Sequence, residues 1–306
     1  MNVISATTIV FGAVLLWTSS ICNGQTHETC TSCSSYSPCQ LGLYESIPAT
    51  SCQEIYKGNP HAPSGKYWLS KGRCPTANVT EQYCDMDGTY VGIKGGWLRV
   101  AYWDMEDAGT SCPSPLQETN PGKRLCIKSS PTGCSSVVYN THGVPYSRIC
   151  GRVRGYQYRS TDAFGYHTGT KNINSAYTDG VSITYGSPRK HVWTYAAGLQ
   201  EEENFQGDAC PCGKVPGDLP PSFVGNDYYC ESANQGHWES QWYLHDPLWD
   251  GHGCPSDNNC CANAGLPWFC KTLPTTVTDD IEVRLCRNEV KANEDIGVEL
   301  LEILVQ

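Results

Sequence analysis

The sequence predicts a β-rich α+β fold, disulfide-rich throughout. Three observations lead there. The 306-residue chain carries 19 cysteines, 30 glycines and 19 prolines. Apolar residues recur at period two in several short runs, the spacing of half-buried strands. No segment keeps an apolar helical stripe beyond a few turns. Charged residues are 17% of the chain, short of the roughly 25% of an average soluble domain. Gly and Pro together stay near 16%, below the roughly 25–30% of low-complexity chains, and no Gly-X-Y period runs anywhere. The formal charge of −10 gives a poor surface for neutralising phosphates, which excludes nucleic acid as a partner.

The chain opens with an apolar stretch from Ile9 to Trp17 followed by small residues to Gly24. Residues 1–24 read as a secretory signal peptide, and the apolar part is far shorter than the roughly 20 residues a bilayer span needs. Cleavage near Gly24 leaves Gln25 at the mature N-terminus, removes Cys22 and leaves an even 18 cysteines. The localisation expected is secreted, with no membrane span in the mature chain. The disulfide candidates are Cys30, Cys33, Cys39, Cys52, Cys74, Cys84, Cys112, Cys126, Cys134, Cys150, Cys210, Cys212, Cys230, Cys254, Cys260, Cys261, Cys270 and Cys286. Their connectivity stays open, because eighteen cysteines allow about thirty million pairings. The rival reading takes Cys30/Cys33, Cys210/Cys212 and Cys260/Cys261 as zinc half-sites, but their spacing is irregular and an oxidising compartment favours bridges.

Residues 25–51 form a short Cys-rich N-terminal segment, and residues 52–306 are long enough for one large domain. In that domain Ser51 and Glu54 read as a capping box opening a short helix that Gly58 ends. Asn59 to Gly65 then turns the chain into a strand at Lys66–Leu69. Further strands are read at Trp97–Tyr102, where a Gly95-Gly96 turn precedes, and at Ile149–Val153, alternating with Arg152 and Arg154. Others fall at Val181–Tyr185, at Ile281–Leu285, and at Val298–Val305, the least polar. The stretch from Glu201 to Phe223 reads as a long Pro-rich loop.

Five spaced motifs, Cys52-Gln-Glu-Ile55, Ala62-Pro-Ser-Gly65, Tyr67-Trp-Leu69, Tyr83-Cys-Asp-Met86 and Gly95-Gly-Trp97, resemble the opening of a fibrinogen C-terminal-like domain of the kind intelectins share. The Trp-Leu-Gly-Asn segment and calcium-loop pattern of ordinary fibrinogen-related lectins do not follow. The resemblance therefore implies a divergent fibrinogen C-terminal-like domain whose ligand pocket does not carry across. Segments 133–137, 146–153, 179–186, 246–251 and 279–284 are similar to a second group, the uncharacterized skeletal organic matrix protein 5 type of stony corals. That similarity implies an exported component of the extracellular matrix beside a calcium carbonate skeleton.

For chemistry, neither Gly-x-Ser-x-Gly nor His-Glu-x-x-His occurs, and no enzyme activity is expected. Asp246 and Asp250, flanked by His245 and His252, are calcium candidates, since carboxylates on a flexible loop suit that ion. The competing reading makes them Asp-Pro and Asp-Gly turns. Asp85-Met86-Asp87-Gly88 resembles half a calcium loop but reads as a β-turn. Asn78-Val79-Thr80 is the single glycosylation sequon and predicts a surface glycan on Asn78. His237, Trp238, Trp242, Tyr243 and Trp249 cluster in sequence, either to line a binding surface or to pack sheet faces. Glu201, Glu202 and Glu203 are the only acidic run, too short to template mineral by charge. The function expected is a non-enzymatic, structural or adhesive matrix component whose partners are other matrix proteins or glycans, with no cofactor beyond calcium. The alternative is a soluble fibrinogen-like lectin, calcium-assisted.

Overall fold

A computed structural model describes residues 40–71, 79–88, 92–129, 133–158, 172–175, 180–197, 221–231, 242, 244, 247, 268–287 and 296–306. Helix α1 spans Cys52–Gly58. Its cap has the Ser51 half of the box read from sequence. Ser51 Oγ accepts from Glu54 N at 3.1 Å, but the Glu54 carboxylate reaches back to Thr50, accepting from its N at 2.7 Å and its Oγ1 at 2.6 Å. The stretch before the helix joins the core through Leu41, Ile47 and Ala49.

Thirteen strands follow among the described residues: β1 Gly65–Leu69, β2 Thr80–Asp85, β3 Trp97–Asp104, β4 Gln117–Thr119, β5 Leu125–Ile127, β6 Gly133–Tyr139 and β7 Tyr146–Gln157. The remainder are β8 Gly180–Tyr185, β9 Lys190–Ala197, β10 Tyr228–Glu231, β11 Phe269–Val277, β12 Ile281–Arg287 and β13 Ile296–Val305. The larger sheet runs β1-β2-β3-β13-β7-β11, with β5 and then β4 continuing from β13. The smaller sheet runs β10-β9-β8-β12-β6, antiparallel except for the β10–β9 edge. The protein is thus β-rich and disulfide-rich, as the sequence predicts.

Strand β13 is the keystone of the larger sheet, and all ten of its residues are buried. Its odd-numbered residues Leu301, Ile303 and Val305 face the core with Leu98, Ile149 and Val153. From the smaller sheet Val181, Ile183, Val283 and Leu285 meet them. Phe269 of β11 stacks flat on Trp193 of β9 at 4.9 Å, and the Tyr195 hydroxyl bonds both backbone groups of Gly155 in β7. Glycine is required on β7 where its own sheet neighbours fill the core-facing space. A Cβ on Gly151 would lie 2.5 Å from Phe269 Cζ and 2.8 Å from Glu302 O.

Among the described residues four disulfides fasten this frame: Cys52–Cys84, Cys112–Cys126, Cys134–Cys286 and Cys150–Cys270. Cys134 and Cys286 are directly opposite in the β6–β12 ladder, as Cys150 and Cys270 are in the β7–β11 ladder. Each sheet therefore has a covalent rung. Cys30, Cys33, Cys39, Cys74, Cys210, Cys212, Cys254, Cys260 and Cys261 and the side chain of Cys230 lie outside the described residues.

Candidate functional site

The core-facing side of β7 and β13 is apolar, so alternation sends the even-numbered residues of β7 outward. Arg148, Cys150, Arg152 and Arg154 share that outer face, and register places Glu302 between Tyr102 of β3 and Arg152. Glu302 is 1% exposed. Its Oε2 accepts from Arg152 Nε at 3.0 Å and from the Arg152 terminal nitrogen at 2.7 Å, while Oε1 lies 3.6 Å from Arg99. A carboxylate this buried is tolerable only because two guanidiniums flank it.

Aromatic rings hold the arginines from their faces. The Arg99 guanidinium sits 3.8 Å from the Tyr83 ring centre and 4.3 Å from that of Tyr102. Arg152 lies 5.0 Å from Trp268, and Arg148 5.0 Å from Trp97 while donating to Gln306 Oε1 at 3.2 Å. Trp97, Cys150 and Leu304 form a small buried cluster beneath, against which Trp268 packs. Tyr102 is 44% exposed. Burial pushes its phenol pKa up, Asp104 and Glu302 add to the rise, and Arg99 and Arg152 oppose it. The whole is a cationic and aromatic surface.

Further along, Glu299 collects a second group. Lys123 donates to its Oε1 at 3.2 Å and Tyr156 to its Oε2 at 3.1 Å, and Arg154 Nε lies 3.0 Å away. Burial works to lower the Lys123 pKa, but its contacts with Tyr156 and Glu299 outweigh that and leave it raised. On the smaller sheet, His191 is buried with Nε2 2.8 Å from Thr194 Oγ1, beside Phe223. Its pKa is pushed down to about 4 by burial and by the charge of Lys271, against Asp227, to which Lys271 is bonded at 2.5 Å.

The residues singled out from sequence are distributed differently. Asp246, Asp250, Asn78, His237, Trp238, Tyr243, Trp249, Glu201, Glu202 and Glu203 lie outside the described residues. Trp242 packs against Tyr158 with ring centres 5.3 Å apart. At Asp85 to Gly88 the chain bends, with Gly88 N donating to Asp85 Oδ1 at 3.2 Å. Ser64 Oγ lies 3.1 Å from that oxygen and 3.0 Å from Asp87 Oδ2. No group of three or more His, Cys, Asp or Glu is arranged to hold a metal among the described residues. None of their helices is long and apolar enough to cross a membrane. The Arg-aromatic face was not anticipated. Its signal is the Arg152-Val-Arg154 alternation, which places two cations on one side of a strand whose other side is apolar.

Comparison with protein-family models and with curated proteins gives no match for this chain.

Proposed function

We propose that the protein is a secreted, non-enzymatic component of an extracellular matrix, structural or adhesive, of the skeletal-matrix type its sequence resembles. One observation carries this reading: each of the eight cysteines whose side chains are described is in a disulfide, including a cross-strand rung in each sheet. Such bridges persist where the surroundings are oxidising, and they suit a protein that must outlast the cell that made it. Adhesion fits the arginine, tyrosine and tryptophan side chains of the outer face, residue types that dominate binding surfaces.

The test is extraction. Antibody against the mature chain should detect it in washed skeleton after demineralisation, with its thiols inaccessible to labelling until reduced. A protein that stays wholly in the soluble fraction and elutes from a sugar resin with chelator would instead be the calcium-assisted lectin. A native protein whose cysteines label without reduction would defeat both readings.

A further inference from the structure

We infer that the outer face of the larger sheet, centred on Arg99 and Arg152, is a docking surface for a sulfated polysaccharide; this deepens the matrix reading by naming the partner.

The first argument is charge. In a chain of formal charge −10, the side chains here are Lys66, Arg99, Arg148 and Arg152 against Glu81, Asp104 and Glu302. A local cationic excess is maintained on an acidic molecule. At the far end of β7 the excess disappears, since Arg154 and Lys123 meet Glu299 and Glu106. A polyanion is therefore drawn to one end of the face and repelled by the rest of the surface.

The second argument is how Arg99 is held. The two tyrosine rings clamp its planar group, and its ion-pair distance of 3.6 Å to Glu302 is beyond hydrogen-bond length. Its orientation is thus set by ring faces, which spend none of the five N–H donors of the fork. An oxyanion of sulfate presents acceptors matching that fork, and the immobilised guanidinium loses little freedom on binding.

The third argument separates a glycan from an acidic peptide. Tyr102 and Trp268 stand beside the guanidiniums on the same face, and a flat ring with a polar edge stacks on the apolar face of a sugar. Cations alternating with such rings suit an anionic chain that is built of sugar rings. Acidic peptide would use the cations and leave the rings idle.

The experiment uses the full mature chain, disulfides intact, and chondroitin sulfate on a biosensor surface, with chemically desulfated chondroitin and poly-aspartate as comparisons. Chondroitin sulfate should bind and weaken strongly as salt rises, because the pairs are partly exposed. The double variant Arg99→Gln/Arg148→Gln should lose about tenfold or more in affinity, as expected for removing charge-assisted hydrogen bonds. Tyr102→Ala should weaken chondroitin sulfate and leave poly-aspartate unchanged. Unfolding midpoints under non-reducing conditions identify any variant that has lost its fold, in which case Arg99→Lys, keeping charge without the fork, replaces it and should still bind more weakly. The inference is overturned if the arginine variants bind as well as the parent, if desulfated chondroitin binds equally, or if poly-aspartate binds better. Recovery from demineralised skeleton is independent of this binding, so failure here leaves the matrix reading to its own test.

Discussion

The Glu302 carboxylate, 1% exposed in the middle of the larger sheet, is hydrogen-bonded through a single oxygen to two nitrogens of Arg152, at 3.0 and 2.7 Å. Such a pair is held more by the difficulty of leaving one member alone than by its own attraction. Arg152→Ala leaves Glu302 buried with Arg99 at 3.6 Å as its remaining counter-charge. The expected loss is about 3 kcal/mol in unfolding free energy. The double variant Arg152→Leu/Glu302→Leu, which removes both charges, should be markedly more stable than Arg152→Ala. Urea titration of the oxidised proteins measures both. A single variant no less stable than the double one would sink the argument.

Strand β13 shows how far the sequence could be read and where it stopped. Its apolar run was legible because a central strand buries both faces and needs no alternation. Its two glutamates were not. Strict alternation puts residues three apart on opposite faces, yet the register shift between Val298 and Leu300 lets Glu299 meet Arg154 while Glu302 meets Arg152. Strand β11 was also hidden, because Pro274 argues against a strand. It is tolerated there since, among the described residues, β11 pairs on one side only and the ladder is irregular between Thr272 and Val277. Strands β1, β3, β7, β8 and β12 show alternation in sequence, and the structure keeps each.

Gly151 meets Phe269 and Glu302 of its own sheet and Gly155 meets Tyr195 of the smaller one, and at both an added methyl has nowhere to go. At Gly155 it would lie 2.7 Å from the Gly297 carbonyl oxygen and 3.3 Å from the Tyr195 ring. Gly151→Ala and Gly155→Ala should each lower stability by about 1–3 kcal/mol, the range for overpacking a well-filled core. Gly65→Ala, where a Cβ meets nothing within 4 Å, is the comparison and should be near neutral. Equal midpoints for all three variants would contradict the tight packing at these two glycines.

The disulfides should rank by the loops they close. Cys134–Cys286 joins residues 152 apart in sequence, whereas Cys112–Cys126 joins residues 14 apart. In the loop-entropy relation these correspond to about 5 and about 3 kcal/mol. Replacing both cysteines of each pair by serine should therefore destabilise the protein more at 134/286 than at 112/126. Thermal unfolding of the two double variants decides it, and the reverse order would show that the bridges act through the native state.

His191 makes stability depend on pH. Its unfolded pKa near 6.5 falls to about 4 in the fold, chiefly by burial and then by Lys271, with Asp227 opposing. Between those values the unfolded chain binds a proton that the folded chain refuses. Stability must therefore fall as pH drops from about 6.5 to about 4 and the His191 contribution must level off below that. At the ordinary free-energy equivalent of a pKa unit, the full loss is about 3 kcal/mol. Glu282 runs the same way at lower pH: burial opposes ionisation there, but Arg189 and Ser136 outweigh it and hold its pKa below 4.5, so its contribution disappears as acid protonates it. His191→Gln keeps a polar partner for Thr194 and removes only the first slope. Unfolding midpoints at pH 7, 6, 5 and 4 should converge for variant and parent toward low pH if the variant is less stable at neutrality. A constant offset across the series would show that His191 does not titrate with folding.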